Sequence, residues 1–400
     1  MASTTTRRLG RRSAFALTAY AFVVTMLGTT LPTPLYSLYR ARFGFSELMI
    51  TVIFATYAAG VIAALLLVGR LSDEIGRRPV LLPGLAFSAL SAIVFLLAQG
   101  LAPLLLGRLL SGFSAGIFTG TATATLVDLA PPGRQGRGTL VATAANMLGL
   151  GCGPLLAGLL VEYASGPLRL PFWVDLALLV PAALAIVAMA EPVSVSGRPR
   201  LRPQALRVPA QVRATFVRAA LAGFAGFAVL GLFTAVSPAF MGQTLHVTND
   251  AVVGLVVFAV FAASAGGQVA FEVVPERLAL PAGCGGLILG MGLLALGLAA
   301  SSLALLIVGG VVAGLGQGLS FRAGLTGVNA AAPPEERAEV ASSFFVVAYL
   351  AISVPVIGVG VLTEAAGLRT AGLVFTAIVA ALAALVLVLL ARAPNPADLR

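Results

Sequence analysis

Charge is scarce in this chain. Only 10% of its 400 residues are charged, and none of the 25 basic residues is lysine. A soluble domain carries about 25% charged residues, so this chain has too few to cover a water-facing surface. Hydrophobic residues make up 59% of the sequence, and their runs lack the two-residue alternation of barrel strands. Because only helices and closed barrels span a membrane, the sequence predicts an all-α membrane protein.

Metal-binding and redox side chains are also few. The two cysteines, Cys152 and Cys284, lie in separate apolar runs, and the one histidine, His246, lies in a short predicted loop. Zinc sites and disulfide frameworks need such residues in clusters at characteristic spacings. The sequence therefore predicts no metal, no cofactor and no disulfide framework.

The apolar runs predict twelve membrane spans. Their approximate positions are 14–38, 47–68, 80–98, 103–126, 139–161, 171–190, 216–240, 251–271, 279–299, 303–324, 341–362 and 370–391. An even number of spans places both termini on one side of the membrane. That side holds 19 of the 25 arginines, and the other side holds four. Since positive residues collect in cytoplasmic loops, we expect both termini in the cytoplasm, with the chain in a bacterial inner membrane. Because 23 of the 25 arginines lie in loops or at span ends, their distribution does not indicate nucleic-acid binding.

A proline- and arginine-rich stretch separates the first six spans from the last six. The predicted domains are an N-terminal six-helix bundle at 1–190, a cytoplasmic linker at 191–214 and a C-terminal six-helix bundle at 215–400. The two halves resemble each other, because an Ala-Pro-Pro loop recurs 202 residues after its first occurrence at Ala130. The span after each loop ends near a glutamate, Glu162 in one half and Glu364 in the other. Such duplication is typical of transporters in which one half rocks against the other.

A short charged turn connects the second and third spans. Its spacing is Gly-x-Leu-x-Asp-x-x-Gly-Arg-Arg, and the matching residues are Gly69, Leu71, Asp73, Gly76, Arg77 and Arg78. The glycines allow a tight reversal and close helix approach. The aspartate can bond a helix N-terminus or pair with an arginine.

This turn resembles the cytoplasmic motif of the major facilitator superfamily, and the twelve spans extend the resemblance over nearly the whole chain. The resemblance implies two pseudo-symmetric six-helix bundles and no enzymatic activity. In that family the aspartate and arginine form a latch with an acid at the end of the fourth helix, which is Asp128 here. Gly69, Gly76 and Arg78 belong to the same motif. The corresponding turn of the second half has Phe271 in place of the aspartate, so a one-sided latch is expected.

Two further patterns resemble motifs of proton-coupled exporters in this family. Arg108 lies about six residues into the fourth span, ahead of a glycine-rich run, and the resemblance implies a role in proton coupling. The fifth span carries the antiporter-like residues Gly149, Gly153, Pro154 and Gly158. Ala157 stands where the motif has the first glycine of its final pair.

The proton-binding acid is harder to predict. The first span has threonines but no acid, and most acids lie near span ends. Asp175, a few residues into the sixth span, is the candidate proton site and a possible partner of Arg108. Arg322, in the tenth span, is expected to bind an anionic substrate, to approach Asp128, or simply to flank its span.

The substrate cavity is expected near mid-membrane. Its candidate lining residues are polar or aromatic and uncharged: Thr29, Thr33, Tyr36, Tyr57, Asn146, Phe227, Phe233, Gln268, Gln317, Phe345 and Tyr349. Such a lining suits a hydrophobic or amphipathic compound.

The sequence therefore predicts a secondary transporter, acting as a monomer in the lipid bilayer. Its predicted activity is the export of hydrophobic or amphipathic small molecules, such as drugs or natural products, in exchange for protons by alternating access. The alternative is a facilitator or importer of a metabolite or sugar in the same superfamily, which the absence of an acid in the first span favours. A membrane sensor and a membrane enzyme are less well supported, and no nucleophile–base constellation indicates an enzyme.

Overall fold

The computed structural model describes residues 10–69, 71–193 and 204–392. Within these ranges every regular element is helical, and no strand occurs. The helices are α1 (Arg11–Thr30), α2 (Tyr36–Phe43), α3 (Glu47–Val68), α4 (Leu71–Ile75), α5 (Arg77–Leu96), α6 (Leu101–Leu129), α7 (Gln135–Tyr163), α8 (Leu170–Ala188), α9 (Arg213–Ala235), α10 (Ser237–Gln243), α11 (Asp250–Ala270), α12 (Glu276–Ala300), α13 (Leu303–Ala331), α14 (Arg337–Ala366) and α15 (Leu368–Ala391).

Twelve of these helices are long and apolar enough to cross a bilayer: α1, α3, α5 to α9 and α11 to α15. A bilayer core about 30 Å thick needs about 20 helical residues, and the twelve helices run from 19 to 30 residues. The prediction of an all-helical protein with twelve spans is confirmed. The fold class is that of a multi-pass membrane protein.

The first span is shorter than predicted. The sequence suggested an apolar helix at 14–38, whereas α1 ends at Thr30 and α2 begins at Tyr36. Pro32 and Pro34 lie in the turn between them. Because proline has no backbone N–H and its ring crowds the preceding turn, two prolines at this spacing interrupt a helix that hydrophobicity alone would continue.

The chain forms two compact units. Unit 1 comprises Met1–Ser46, Ile53–Ala205 and Asn249–Phe258, and unit 2 comprises Glu47–Val52, Leu206–Thr248 and Ala259–Arg400. The start of α3 therefore belongs to unit 2, although the rest of that helix is in unit 1. The start of α11 belongs to unit 1, although the rest of that helix is in unit 2. Part of the predicted linker, residues 194–203, lies outside the described residues.

Small residues bring helices of unit 1 into close contact. A Cβ atom on Gly112 of α6 would collide with the carbonyl oxygen of Tyr57, and one on Gly116 would lie 2.7 Å from the carbonyl oxygen of Val61. Both contacts are with the backbone of α3. Glycine therefore lets α3 and α6 approach more closely than any larger residue would, as is common between membrane helices.

Gly112→Ala is expected to destabilise unit 1. The added methyl group has no room against the Tyr57 backbone, so α3 and α6 must separate, at a cost of about 1–3 kcal/mol. Gly120→Ala on the same helix is the matched control, because a Cβ there meets nothing within 4 Å. Thermal unfolding of the purified variants in detergent measures the difference. Equal melting temperatures for the two variants would contradict the packing argument.

Candidate transport site

Arg77 is the centre of an ionic cluster at the turn between α4 and α5. Its side chain is 9% exposed. Its Nη1 donates to the Asp73 carboxylate at 2.5 Å and to the Ser72 hydroxyl at 2.8 Å, and its Nε donates to the Asp128 carboxylate at 2.9 Å. The structure thus brings together the three residues predicted from the motif. One buried guanidinium ties the end of α6 to the turn that precedes α5.

A fourth residue of this cluster, Glu191, was not predicted. Its carboxylate accepts hydrogen bonds from the backbone N–H groups of Arg77, at 2.7 Å, and Arg78, at 3.1 Å. These are unpaired donors at the positive end of α5, where a carboxylate is favourable. Gly76 has a φ of 101°, and a Cβ there would lie 2.8 Å from the Glu191 carboxyl carbon. The glycine therefore provides both the backbone conformation and the space for this cap.

Gln204 occupies the other end of the motif turn. Its backbone N–H donates to the Leu66 carbonyl oxygen at 2.8 Å, and its side chain is 6% exposed. A side chain on Gly69 would collide with the Gln204 amide oxygen. The two motif glycines were predicted to allow a tight reversal and close helix approach. In the structure Gly69 also leaves space for Gln204, and Gly76 leaves space for Glu191. The sequence did offer one clue, because Glu191 is one of only 15 acids and directly follows a span.

Removing the Glu191 charge is expected to weaken the start of α5. In Glu191→Gln a neutral amide replaces the carboxylate that accepts two backbone N–H groups, and we expect a loss of about 1 kcal/mol. Glu335→Gln is the control, because Glu335 is exposed and its side chain forms no hydrogen bond or ion pair within the described part of the chain. Thermal unfolding in detergent compares them. A Glu191→Gln protein as stable as Glu335→Gln would contradict the capping role.

The remaining charged residues of the predicted motifs are arranged differently. The Arg78 side chain forms no hydrogen bond or ion pair with any described residue, although its backbone N–H bonds Glu191. In unit 2, Arg322 donates to the Glu272 carboxylate at 2.7 Å and lies 5.8 Å from the Phe271 ring centroid. Arg322 is thus neutralised by an acid of the degenerate second-half turn.

Arg108 is buried within unit 1, with 1% of its surface exposed. One Nη atom donates to the Thr29 carbonyl oxygen, and the guanidinium carbon lies 4.7 Å from the Tyr57 ring centroid and 5.4 Å from that of Phe54. Its Nε has no partner among the described residues. The arginine therefore does not reach a helix end, as a snorkelling side chain would. Carbonyl and aromatic groups surround its charge.

Asp175 is also buried, with 2% of its surface exposed. Its carboxylate lies against Gly28, where a Cβ would be 2.8 Å from Oδ2, and its Oδ1 has no partner among the described residues. The predicted pairing with Arg108 is absent from this structure. Instead, the two side chains lie against consecutive residues of α1, Gly28 and Thr29. The small residue at position 28 provides the space for the carboxyl group.

The antiporter-like residues of α7 pack mainly on α1. A Cβ on Gly149 would lie 2.6 Å from the Met26 Cβ, and one on Gly153 would collide with the Leu27 carbonyl and the Thr30 hydroxyl. Pro154 leaves the carbonyl of Leu150 without its usual helical donor. The Thr30 hydroxyl donates to that carbonyl at 2.7 Å. A side chain on α1 thus replaces the hydrogen bond that the proline removes.

Gly158, the fourth of the antiporter-like residues, packs against α11 rather than α1. A Cβ on Gly158 would collide with the carbonyl oxygen of Asp250, at the start of the α11 segment that belongs to unit 1. Gly254 on the same segment would in turn meet the carbonyl of Pro154. Close backbone packing therefore continues along α7 to its far end.

The predicted cavity residues are divided between the two units. In unit 1, Thr29, Thr33, Tyr36 and Tyr57 are buried. The Tyr36 hydroxyl and the Asn146 amide oxygen have no partner among the described residues. Buried polar groups without partners are uncommon in proteins, so these atoms are candidate substrate contacts.

Unit 2 contains two buried glutamines and a group of aromatic rings around Phe321. Gln317 accepts a hydrogen bond from the Ser264 hydroxyl at 2.5 Å. The Gln317 amide nitrogen and both amide atoms of Gln268 have no partner among the described residues. Of the other predicted residues, Phe227 and Phe345 have rings that contact the ring of Phe321. Phe233 is fully buried, and Tyr349 is buried.

The twelve candidate spans, with ionisable residues buried inside them, are those of a multi-pass membrane protein, and the family match identifies it as a transporter rather than an enzyme. Residues 15–296 match the family model of the major facilitator superfamily, and the chain belongs to that superfamily. The resemblance noted in the sequence is thereby confirmed.

Curated relatives match only parts of the chain. An uncharacterized MFS-type transporter of Methanocaldococcus jannaschii is 28% identical over 149 residues, which is 37% of this chain and 38% of the relative. One of Mycobacterium tuberculosis is 29% identical over 186 residues, 46% of this chain and 27% of the relative. The multidrug resistance protein MdtL of Escherichia coli is 39% identical over 83 residues, 21% of each chain. The chain thus spans well under half the length of these relatives.

Solved structures match over almost the full length. A bacterial homolog of the human lysosomal transporter Spinster has a TM-score of 0.76 at 15% identity, covering 99% of this chain and all of the other. The human organic anion transporter MFSD10 has a TM-score of 0.69 at 19% identity, covering 96% and 100%. At these identities the likeness concerns the fold alone.

Proposed function

We propose that this protein exports hydrophobic or amphipathic small molecules in exchange for protons. It acts as a monomer in a bacterial inner membrane, with both termini in the cytoplasm. The observation that carries the proposal is the burial of Asp175 and Arg108 against consecutive residues of α1 without an ion pair between them. Ionisable groups inside membrane spans are costly and are usually functional. Asp175 is the proposed proton carrier.

The coupling step follows from the cost of burying a charge. Because no described residue hydrogen-bonds its Oδ1, the Asp175 carboxylate is poorly compensated. Proton uptake from the outer side removes the charge, and proton release to the cytoplasm restores it. Arg108 donates to the carbonyl of Thr29, and the Asp175 carboxylate lies against the preceding residue of α1, Gly28. This arrangement lets a shift of α1 change the distance between the two charges, and thus link proton binding to conformation.

The ionic cluster around Arg77 is the proposed conformational latch. The guanidinium of Arg77, at the start of α5, joins Asp73 on α4 to Asp128 on α6, so the cluster links three helices of unit 1. Glu191 and Gln204 hold the same turn from the linker side. Gly69 and Gly76 make both contacts possible.

The proposed substrate class rests on the buried aromatic and amide groups. Phenylalanine rings in unit 2 offer apolar contact, and the free amide atoms of Gln268 and Gln317 offer hydrogen bonds. Such a combination suits a lipophilic compound with a few polar groups. The partial similarity to a multidrug resistance protein supports the same class.

The test is an efflux assay in a bacterium that lacks its own drug exporters. Cells making the protein are compared with empty-vector cells for growth and dye retention across a panel of lipophilic antibiotics and dyes. We expect raised resistance that a protonophore abolishes. Accumulation of a compound, or downhill flux independent of pH, would instead favour the facilitator or importer, which the absence of an acid in α1 also favours. No change for any compound, with the protein present in the membrane, would contradict the proposal.

A further inference from the structure

Unit 1 contains a cavity that lies apart from the buried charges of the transport site. It lies where α1 begins, α6 ends and α7 begins, and its volume is about 730 Å³. Ligand pockets usually have volumes of about 300–1,000 Å³. Among the described residues that line it, four are arginines, several are apolar and none is acidic.

One of the four arginines is part of the fold. Arg11 donates to the backbone carbonyls of Asp128 and Ala130, both at 2.8 Å, and of Leu129, at 3.1 Å. These carbonyls are at the end of α6, where helical donors are missing. Arg11 thus caps the C-terminal end of α6 and stabilises the cavity wall. The other three arginines are available to bind a ligand.

Those other three arginines have no counter-charge among the residues that the structure describes. Arg12, Arg134 and Arg137 are exposed, and their side chains form no hydrogen bond or ion pair with any residue that the structure describes. Three like charges around one cavity repel each other, and an anion bound between them would remove that repulsion. Guanidinium groups match phosphate oxygens in charge and bidentate geometry.

The remaining lining residues indicate an amphiphile. Phe15 and Leu129 add apolar surface, and Pro131 and Pro132 extend it. Arg11 is the first residue of one spanning helix, and Leu129 is the last residue of another. The ends of spanning helices lie near the headgroup level of a bilayer, and basic pockets between helices at this level bind anionic headgroups.

We propose that this cavity binds an anionic phospholipid. Its phosphate contacts Arg12, Arg134 and Arg137, and its glycerol and acyl portion lies along Phe15 and Leu129. A soluble phosphate compound would share the charge but would not need the apolar surface. The proposal is independent of which substrate is transported, and its test measures binding rather than transport.

The experiment measures lipid binding to the full-length protein in a neutral detergent. Phosphatidylglycerol is titrated against phosphatidylcholine, with binding followed by native mass spectrometry and by the rise in melting temperature. Each juxtamembrane arginine contributes about fivefold to the affinity for an anionic lipid. The triple variant Arg12→Gln, Arg134→Gln, Arg137→Gln should therefore lose roughly a hundredfold. The control triple carries Arg213→Gln, Arg277→Gln and Arg392→Gln, which removes the same charge outside the cavity.

Preference for phosphatidylglycerol that the cavity triple loses and the control triple keeps would support the proposal. Equal losses in the two triples would overturn it, because the lipid would then be responding to net charge. Competition by inorganic phosphate or glycerol phosphate at matching concentrations would overturn the lipid assignment in favour of a soluble anion. If the cavity triple is poorly folded, Arg134→Gln alone, in an exposed turn, should still weaken binding about fivefold.

Discussion

Arg77→Gln is expected to reduce transport at least tenfold, whereas Arg78→Gln leaves it close to the native rate. Both variants lose one positive charge, and the residues are neighbours. Only the Arg77 side chain is buried and donates to Asp73, Asp128 and Ser72. Glutamine is shorter and cannot reach all three acceptors. The two carboxylates are left without their shared counter-charge, and the end of α6 is no longer held to the turn.

The expected loss of stability is smaller than the loss of transport. A hydrogen bond to a charged group contributes about 1.5–3 kcal/mol when buried, but Asp73 has 64% of its side chain exposed and Asp128 has 28%. Solvent screens such pairs, so we expect a total of about 1–3 kcal/mol. Efflux rate, membrane abundance and melting temperature are measured together. Native transport by Arg77→Gln at equal abundance would remove the latch from the mechanism, as would equal defects in the two variants.

Long-range features of this fold could be predicted from the sequence because the membrane imposes them. Backbone groups have no other partners in lipid, so apolar runs must be helices, and all twelve are found. The charged motif also predicted contacts between Asp73, Arg77 and Asp128, which are 55 residues apart at most. The apolar run wrongly predicted where α1 ends, because Pro32 and Pro34 interrupt the helix while the sequence remains apolar.

Contacts that depend on how two helices are rotated about their own axes could not be predicted. Asp175 was a candidate partner for Arg108 because it is the acid set deepest into the outer part of a span. They instead face consecutive residues of α1, Gly28 and Thr29, a difference that helix rotation decides and sequence spacing does not. Glu191 was missed for another reason. A carboxylate after a span resembles an ordinary polar flank until the free N–H groups of α5 are seen beside it.

Asp175→Asn is expected to abolish proton-coupled export while leaving the protein folded. Asparagine has almost the same size and fits the space over Gly28. It also replaces a buried ionisable group by a neutral one, so stability should be unchanged or improved. An amide cannot take up and release a proton in this pH range. Purified protein in proteoliposomes with an imposed pH gradient should therefore accumulate substrate when native and fail to do so when substituted.

The decisive comparison is between uphill and downhill transport. If Asp175 carries the proton, the variant loses accumulation driven by the pH gradient but still exchanges labelled substrate across the membrane at equal concentrations. Glu364→Gln is the matched control, because Glu364 is an exposed acid near the end of α14, and we expect native coupling from it. Gradient-driven accumulation that survives in Asp175→Asn would exclude this carboxyl group as the coupling site. Loss of both accumulation and exchange would assign Asp175 to the substrate path or the conformational change, because a proton carrier is needed only where transport is driven by the gradient.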